Sequence, residues 1–289
     1  MLRFGSDRMN RFWHLYVRDA GEKRVEAVGH YVDPWYELSA RLAVSPVSYR
    51  IREATVEVMR TPAGREGSER REVPGVVGAI AYAGVGRRVV DSTRDDPTGL
   101  QAGLLLECVK ALRQARLFVW ERNGINPADY LDLIEAYLRD SCIYFSFPGA
   151  LQAVIEPVQL EEMTRWEWLF SRHKYCLLRS GPEGETVEAG LADSYHEMRL
   201  EVQARGGEVG EASAEILRAP HEECFLAEPK GAGLRAACLQ EGGGGWEARV
   251  GGADGCAHLA DLARQAHATL AYWRRMRSVT APENRCVPA

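Results

Sequence analysis

The chain has 289 residues, 46% of them hydrophobic and 27% charged, with a formal net charge of −5. That length holds one large core or two modest ones, and the scattered, slightly acidic charge offers no basic footprint for nucleic acid or an anionic membrane. The N-terminal MLRFGSDRMN lacks the apolar run of a signal peptide, and no segment approaches the ~18 consecutive apolar residues of a membrane span, so a cytoplasmic protein is expected. Its seven cysteines (108, 142, 176, 224, 238, 256 and 286) are an odd number spread through a long chain, which argues for free thiols or metal ligands rather than a disulfide framework.

In chain order, apolar residues at every second position (Leu38, Ala40, Leu42, Val44) predict a half-buried strand, and Glu53–Thr61 predicts a second. A third strand is expected in VVGAIAYAG (76–84), ahead of a glycine-rich turn. Leu100, Leu104, Leu105, Val109 and Leu112 then fall at helical spacing. Asn126-Pro127 suits the cap and first turn of a helix running to about Asp140, and SCIYFSF (141–147) reads as a short strand. The first pattern then recurs at an offset of about 159 residues. Met198, Leu200, Val202 and Ala204 alternate, Glu211–Ala219 follows, AGLRAACLQ (232–240) is the third expected strand, and Leu259, Leu262, Ala263, Ala266 and Leu270 mark a helix.

The recurrence extends to residues. EATVEVMRTP (53–62) answers EASAEILRAP (211–220), and Asp33-Pro-Trp-Tyr-Glu37 answers Asp193-Ser-Tyr-His-Glu197. The expected architecture is α+β: a tandem duplication of a small antiparallel sheet plus helix, packed as a pseudo-dimer. Its parts are a degenerate first repeat (10–122), a helical and strand insert (123–172) and a second repeat (173–277).

A duplication is its own control, because residues needed only for a site can be lost from one copy. His196 stands where the first copy has Tyr36, Cys256 where it has Pro97, and His258 where it has Gly99, while Cys224 has no cysteine counterpart. His196 shares the parity of Met198 and Leu200, so its imidazole faces the apolar side of the strand and needs a partner. Cys256 and His258 sit at the start of the last helix, where amide groups and the dipole favour a thiolate.

These residues resemble an uncharacterised bacterial family, domain of unknown function 2889. Its pattern has a His-Asp-Met triplet, a Pro-aromatic-x-x-Cys segment and a Gly-Gly-x-x-Gly-Cys-Thr-His-Leu segment. Here they read His196-Glu197-Met198, Pro220-His221-Glu222-Glu223-Cys224 and Gly251 to Leu259. The resemblance spans about His173 to Leu270, departs at Glu197, His221 and Ala257, and keeps each of the four candidate ligands. It implies a site in the second copy and no particular reaction.

His196, Cys224, Cys256 and His258 form a donor set suited to zinc, and ligand type alone leaves iron or an iron–sulfur cluster open; His221 is an alternative to His196. A metalloenzyme of unknown substrate is the first reading. A non-enzymatic metal or cluster carrier, or a subunit that docks on a partner, is the second. A metal-free thiol enzyme is the third, with Cys256 as nucleophile, His258 or His196 as base and Glu197 as orienting group. The bland alternative treats Cys224 as core and His196 as satisfied by backbone. Gly242 to Gly245 lacks the Lys-Ser/Thr ending of a phosphate loop and reads as a hairpin or sheet-edge turn. The acidic Asp91, Asp95 and Asp96 read as a solvated turn, and Trp35, Tyr36, Trp166, Trp168 and Phe170 as packing.

Overall fold

The computed structural model describes residues 7–63, 68–82, 84–150 and 167–280. Trp166 and Cys286 lie outside the described residues. The fold is α+β, built on one nine-stranded antiparallel sheet: β1 (Arg8–Asp19), β2 (Val25–Val32), β3 (Glu37–Val44), β4 (Ile51–Arg60), β5 (Glu69–Glu72), β6 (Trp168–Gly181), β7 (Gly184–Asp193), β8 (Glu197–Arg205) and β9 (Glu208–Arg218). The strands lie in the order β5-β4-β3-β2-β1-β6-β7-β8-β9, so the N-terminal meander meets the C-terminal one at β1 and β6. At the centre of that seam His14 pairs with His173, and their rings stack 4.2 Å apart.

Side chains alternate across the pleat. Met9, Arg11, Trp13, Leu15 and Val17 of β1, with Arg172, Lys174, Cys176 and Leu178 of β6, turn to the buried face. Two long helices cover it. Helix α2 (Leu100–Gln114) lies over β1–β3 and α6 (Ala257–Thr280) over β6–β8. Leu259, Leu262, Ala263, Ala266 and Leu270 of α6 are fully buried or nearly so, the leucines each contributing about 1.5–3 kcal/mol. The shorter helices are α1 (Val85–Ser92), α3 (Arg116–Arg122), α4 (Leu131–Leu138) and α5 (Gly242–Val250). Among the described residues no helix is long and apolar enough to cross a membrane.

The four strands expected from alternation are present as β3, β4, β8 and β9, and both helices form. Four expectations are corrected. Neither 76–84 nor 232–240 is a strand: each contributes one isolated bridge, Arg50 to Ile80 and Glu208 to Cys238, between turns and 3-10 segments. The run 232–240 has no β-branched residue to hold a ladder, while in 76–84 the 3-10 segment Pro74–Val76 and the turn at Gly78, with φ +82, break the extended course. SCIYFSF is likewise a turn and a 3-10 segment, Tyr144–Ser146. The glycines 242–245 open α5, anchored by fully buried Trp246, whose Nε1 donates to the Cys238 carbonyl at 3.0 Å.

Where α2, α6 and β6 meet, charges are buried together. Lys174 Nζ donates to Glu107 at 3.1 Å and to Asp261 at 2.5 Å, and Lys110 Nζ bridges the same two carboxylates at 2.8 and 2.5 Å. Lys174 is 2% exposed and Glu107 3%. The nearby ammonium groups hold both carboxyls below their usual range despite burial, Asp261 strongly so. A carboxyl whose folded pKa is depressed adds stability above its unfolded pKa and loses it as pH falls. Stability should therefore decline on acidification below about pH 4, where free carboxyls titrate. Lys174→Met should cost about 3 kcal/mol in urea unfolding at pH 7 by leaving two buried carboxylates with Lys110 as their one shared ammonium, and should flatten the acid limb.

Gly231, in the 3-10 segment Glu222–Leu234, lies against β9, where an added Cβ would come 2.5 Å from the Ala214 nitrogen and 2.6 Å from its Cβ. Backbone cannot yield as a side chain does. Gly231→Ala should lower the unfolding free energy by about 1–3 kcal/mol in denaturant titration.

Candidate functional site

The turn joining β7 to β8 is fixed by Asp193. Its Oδ1 accepts the backbone N–H groups of Tyr195 and His196, both at 2.8 Å, while Arg218 donates to the carbonyls of Asp193 and His196. The β2–β3 turn is made the same way: Asp33 Oδ1 accepts from Trp35 and Tyr36 at 2.7 and 2.6 Å, and Arg60 donates to the carbonyls of Asp33 and Tyr36. The aspartate and arginine of each turn are thus scaffold. What differs is the side chain presented, Tyr36 in one and His196 in the other.

His196 is buried and its Nδ1 lies 3.2 Å from Asp193 Oδ1, leaving Nε2 uncommitted to that carboxylate. Asp193 Oδ2 accepts two bonds from buried Arg172, at 3.0 and 2.5 Å. Bonds from His196 and the charge of Arg172 hold its carboxyl far below the usual range. His258, in the first turn of α6, brings its ring centroid to 3.9 Å from that of His196. The Gln114 amide, at the end of α2, meets His258 Nε2 at 3.2 Å. Burial, then the neighbouring His196 and Arg172, press the His258 pKa well down, so its imidazole is neutral at physiological pH.

One nitrogen from each imidazole and one Asp193 oxygen lie within 4.8 Å of one another. The two imidazoles border a cavity of about 270 Å³ whose wall also carries Cys142, Cys224, Cys256 and His221. All four residues singled out from the sequence therefore face one cavity. Cys224, in the 3-10 segment after β9, and Cys256, just before α6, stand outside the tight Asp193–His196–His258 group. His221 stacks on Tyr144 at 3.8 Å, with its pKa lowered chiefly by burial, and is absent from that group as well.

Two expectations are corrected. Glu197 does not orient a base: it opens β8 on the exposed face, opposite in parity to buried Met198, and the orienting carboxylate is Asp193. Nor does the helix start favour a free thiolate. The amides of His258 and Leu259 lower the Cys256 pKa, but burial outweighs them and the thiol sits above its ordinary value; burial pushes Cys224 up to about 11. Sequence reading also missed Arg172, Gln114 and Cys142. Asp193 was within reach, since Asp two or three residues ahead of a turn's N–H groups signals an Asx turn; nothing local marks Gln114 as a partner of His258, 144 positions away.

Residues 181–272 match the family described as Protein of unknown function (DUF2889). The matched stretch lies in the C-terminal half and takes in the His196, Cys224 and Cys256/His258 segments, so this part of the chain is similar to that family. The match takes in Asp193 and all four of those residues and leaves out Gln114 and Cys142, which line the cavity, and Arg172, which holds Asp193. No curated protein and no solved structure matches the chain.

Scaffold and site roles separate by mutation. Asp193→Ala strands the buried Arg172 guanidinium and should cost about 3–5 kcal/mol in chemical denaturation. His258→Ala should cost about 1 kcal/mol or less, with the near-ultraviolet circular dichroism unchanged.

Proposed function

We propose that the C-terminal cavity is a transition-metal centre of zinc or iron type, and that the protein is a metalloenzyme acting on a small substrate admitted to it. The observation that carries this reading is the facing pair of imidazoles, each with one nitrogen engaged by a side chain: Asp193 on His196 Nδ1 and Gln114 on His258 Nε2. A carboxylate or amide on the far nitrogen is how protein metal sites fix the tautomer and aim of a ligating histidine. Gln114 presents its amide nitrogen to His258 Nε2, and turning the amide over, so that its oxygen accepts from Nε2–H, frees the Nδ1 lone pair for a metal.

The donor set fits such an ion. His258 is neutral, as a ligand must be. Asp193, already accepting from Arg172, His196 and two backbone amides, serves better as holder than as ligand. The thiols of Cys224 and Cys256 on the same wall would supply further protein ligands, and coordination would offset the burial that keeps them protonated. When bound, the metal supplies a Lewis acid and an acidified water. The chain's own residues aim the imidazoles, keep Arg172 neutralised by Asp193 and surround the substrate with apolar side chains such as Leu117, Ile143, Met198 and Ile216.

A metal-free thiol enzyme is disfavoured by the raised thiol pKa values, and a closed structural or carrier site by a cavity with room for a small molecule. An iron–sulfur cluster is the variant of the metal reading that uses the thiols as principal ligands. The matched turns, the repeated meander and helix, and the symmetric strand order support the tandem duplication, with the first unit as structural partner to the second. Among the described residues six cysteines are unpaired, which accords with a cytoplasmic setting.

Protein purified without affinity-tag metals should hold close to one equivalent of zinc or iron by elemental analysis. His196→Ala and His258→Ala should reduce this at least tenfold while remaining folded. Retention of fold after chelation supports an open catalytic centre, unfolding a structural one, and visible absorbance bleached by air a cluster. Wild-type protein that stays metal-free after incubation with Zn²⁺ and with Fe²⁺ under nitrogen overturns the proposal.

A further inference from the structure

A second cavity, of about 510 Å³, lies at the opposite end of the groove between α2 and α6. Here the start of α2, Gly99 and Leu100, meets the end of α6, Tyr272 and Arg275, as the start of α6 meets the end of α2 at the imidazole site. The chemistry differs. Its wall includes Arg11 of β1, only 5% exposed.

Arg11 Nε donates to Tyr31 Oη at 2.9 Å and one terminal nitrogen to Thr269 Oγ1 at 3.1 Å. Among the described residues no carboxylate lies within 4.0 Å of it; Asp33 is reached only through the Tyr31 hydroxyl, which donates to Asp33 Oδ2 at 2.6 Å. The rings of Trp13, Tyr31 and Tyr272 surround the guanidinium at 4.9, 5.4 and 5.1 Å. Aromatic faces and a relayed carboxylate stabilise the cation without neutralising it. A guanidinium has five N–H donors and does not deprotonate, so a buried one without a counter-ion is costly unless an anion completes it.

The other charges at this cavity are already committed. Glu107 takes Lys110 and Lys174, and Arg264 takes Asp261. Arg275 stacks over Tyr272 at the cavity's edge, adding positive potential. Trp13, Leu100 and Leu104 supply apolar wall, and Gly103, Ala268 and Ala271 leave the space open.

We propose that this cavity is a second ligand site, distinct from the imidazole centre, which takes a small molecule bearing a carboxylate or phosphate on an apolar body, with the oxyanion meeting Arg11. Arginine suits either oxyanion because its planar fork matches both geometries. This inference does not depend on a metal at the other site.

Titration calorimetry with benzoate, phenyl phosphate, inorganic phosphate and neutral benzamide tests it. Saturable binding of benzoate or phenyl phosphate is expected, at least tenfold tighter than benzamide; which of the two binds better identifies the oxyanion. Arg11→Met should weaken that binding at least tenfold. If Arg11→Met does not fold, Ala271→Trp, which fills the cavity and keeps Arg11, should abolish binding, while His258→Ala leaves it unchanged. The proposal is overturned if neither aromatic anion binds at millimolar concentration, if benzamide binds equally, if Ala271→Trp retains wild-type affinity, or if His258→Ala removes the binding.

Discussion

The antiparallel pairing of β1 with β6 sets almost everything else. It joins two meanders into one sheet, and because each long helix follows its own meander, it lays α2 and α6 across the same face head to tail. The last turn of α2 then reaches the first turn of α6, bringing Gln114 to His258. A seam elsewhere would leave two small sheets, each with a helix and neither with a complete cavity. Lys174 of β6 fastens the arrangement by gripping Glu107 on one helix and Asp261 on the other.

Against that frame the two halves use the same local device for different ends. An aspartate caps the turn between two strands and an arginine from the next strand closes it, at Asp33 with Arg60 and at Asp193 with Arg218. The third residue after the aspartate is then presented toward the interior. Tyrosine there gives Tyr36 on the first side; histidine gives His196, next to a second imidazole, on the other. One side gathers soft and borderline donors, the other a buried guanidinium ringed by aromatics.

Much of this was legible in the sequence because it is local. Alternation gave β3, β4, β8 and β9, helical spacing gave α2 and α6, and the comparison of the recurring segments drew attention to His196, Cys224, Cys256 and His258, which share one cavity wall. The third strand of each segment failed because a short Ala- and Gly-rich run carries no period that separates turn from strand. Glu197 adjoins His196 in sequence, yet neighbours on a strand face opposite ways, and it is Asp193 that reaches the ring. Gln114 was invisible for a different reason: its partner is set by the β1–β6 seam, a long-range pairing that no local pattern encodes, whereas Arg172 meets Asp193 through the register of the β6–β7 hairpin.

The head-to-tail helices carry an evolutionary consequence. Each cavity borrows a wall from the other half, so neither half is free to diverge alone: a change at Gln114 alters the surroundings of His258, and one at Thr269 alters those of Arg11. Drift in either half is therefore filtered by selection on the other, and the pair is inherited as one unit even where only one half bears a family's signature.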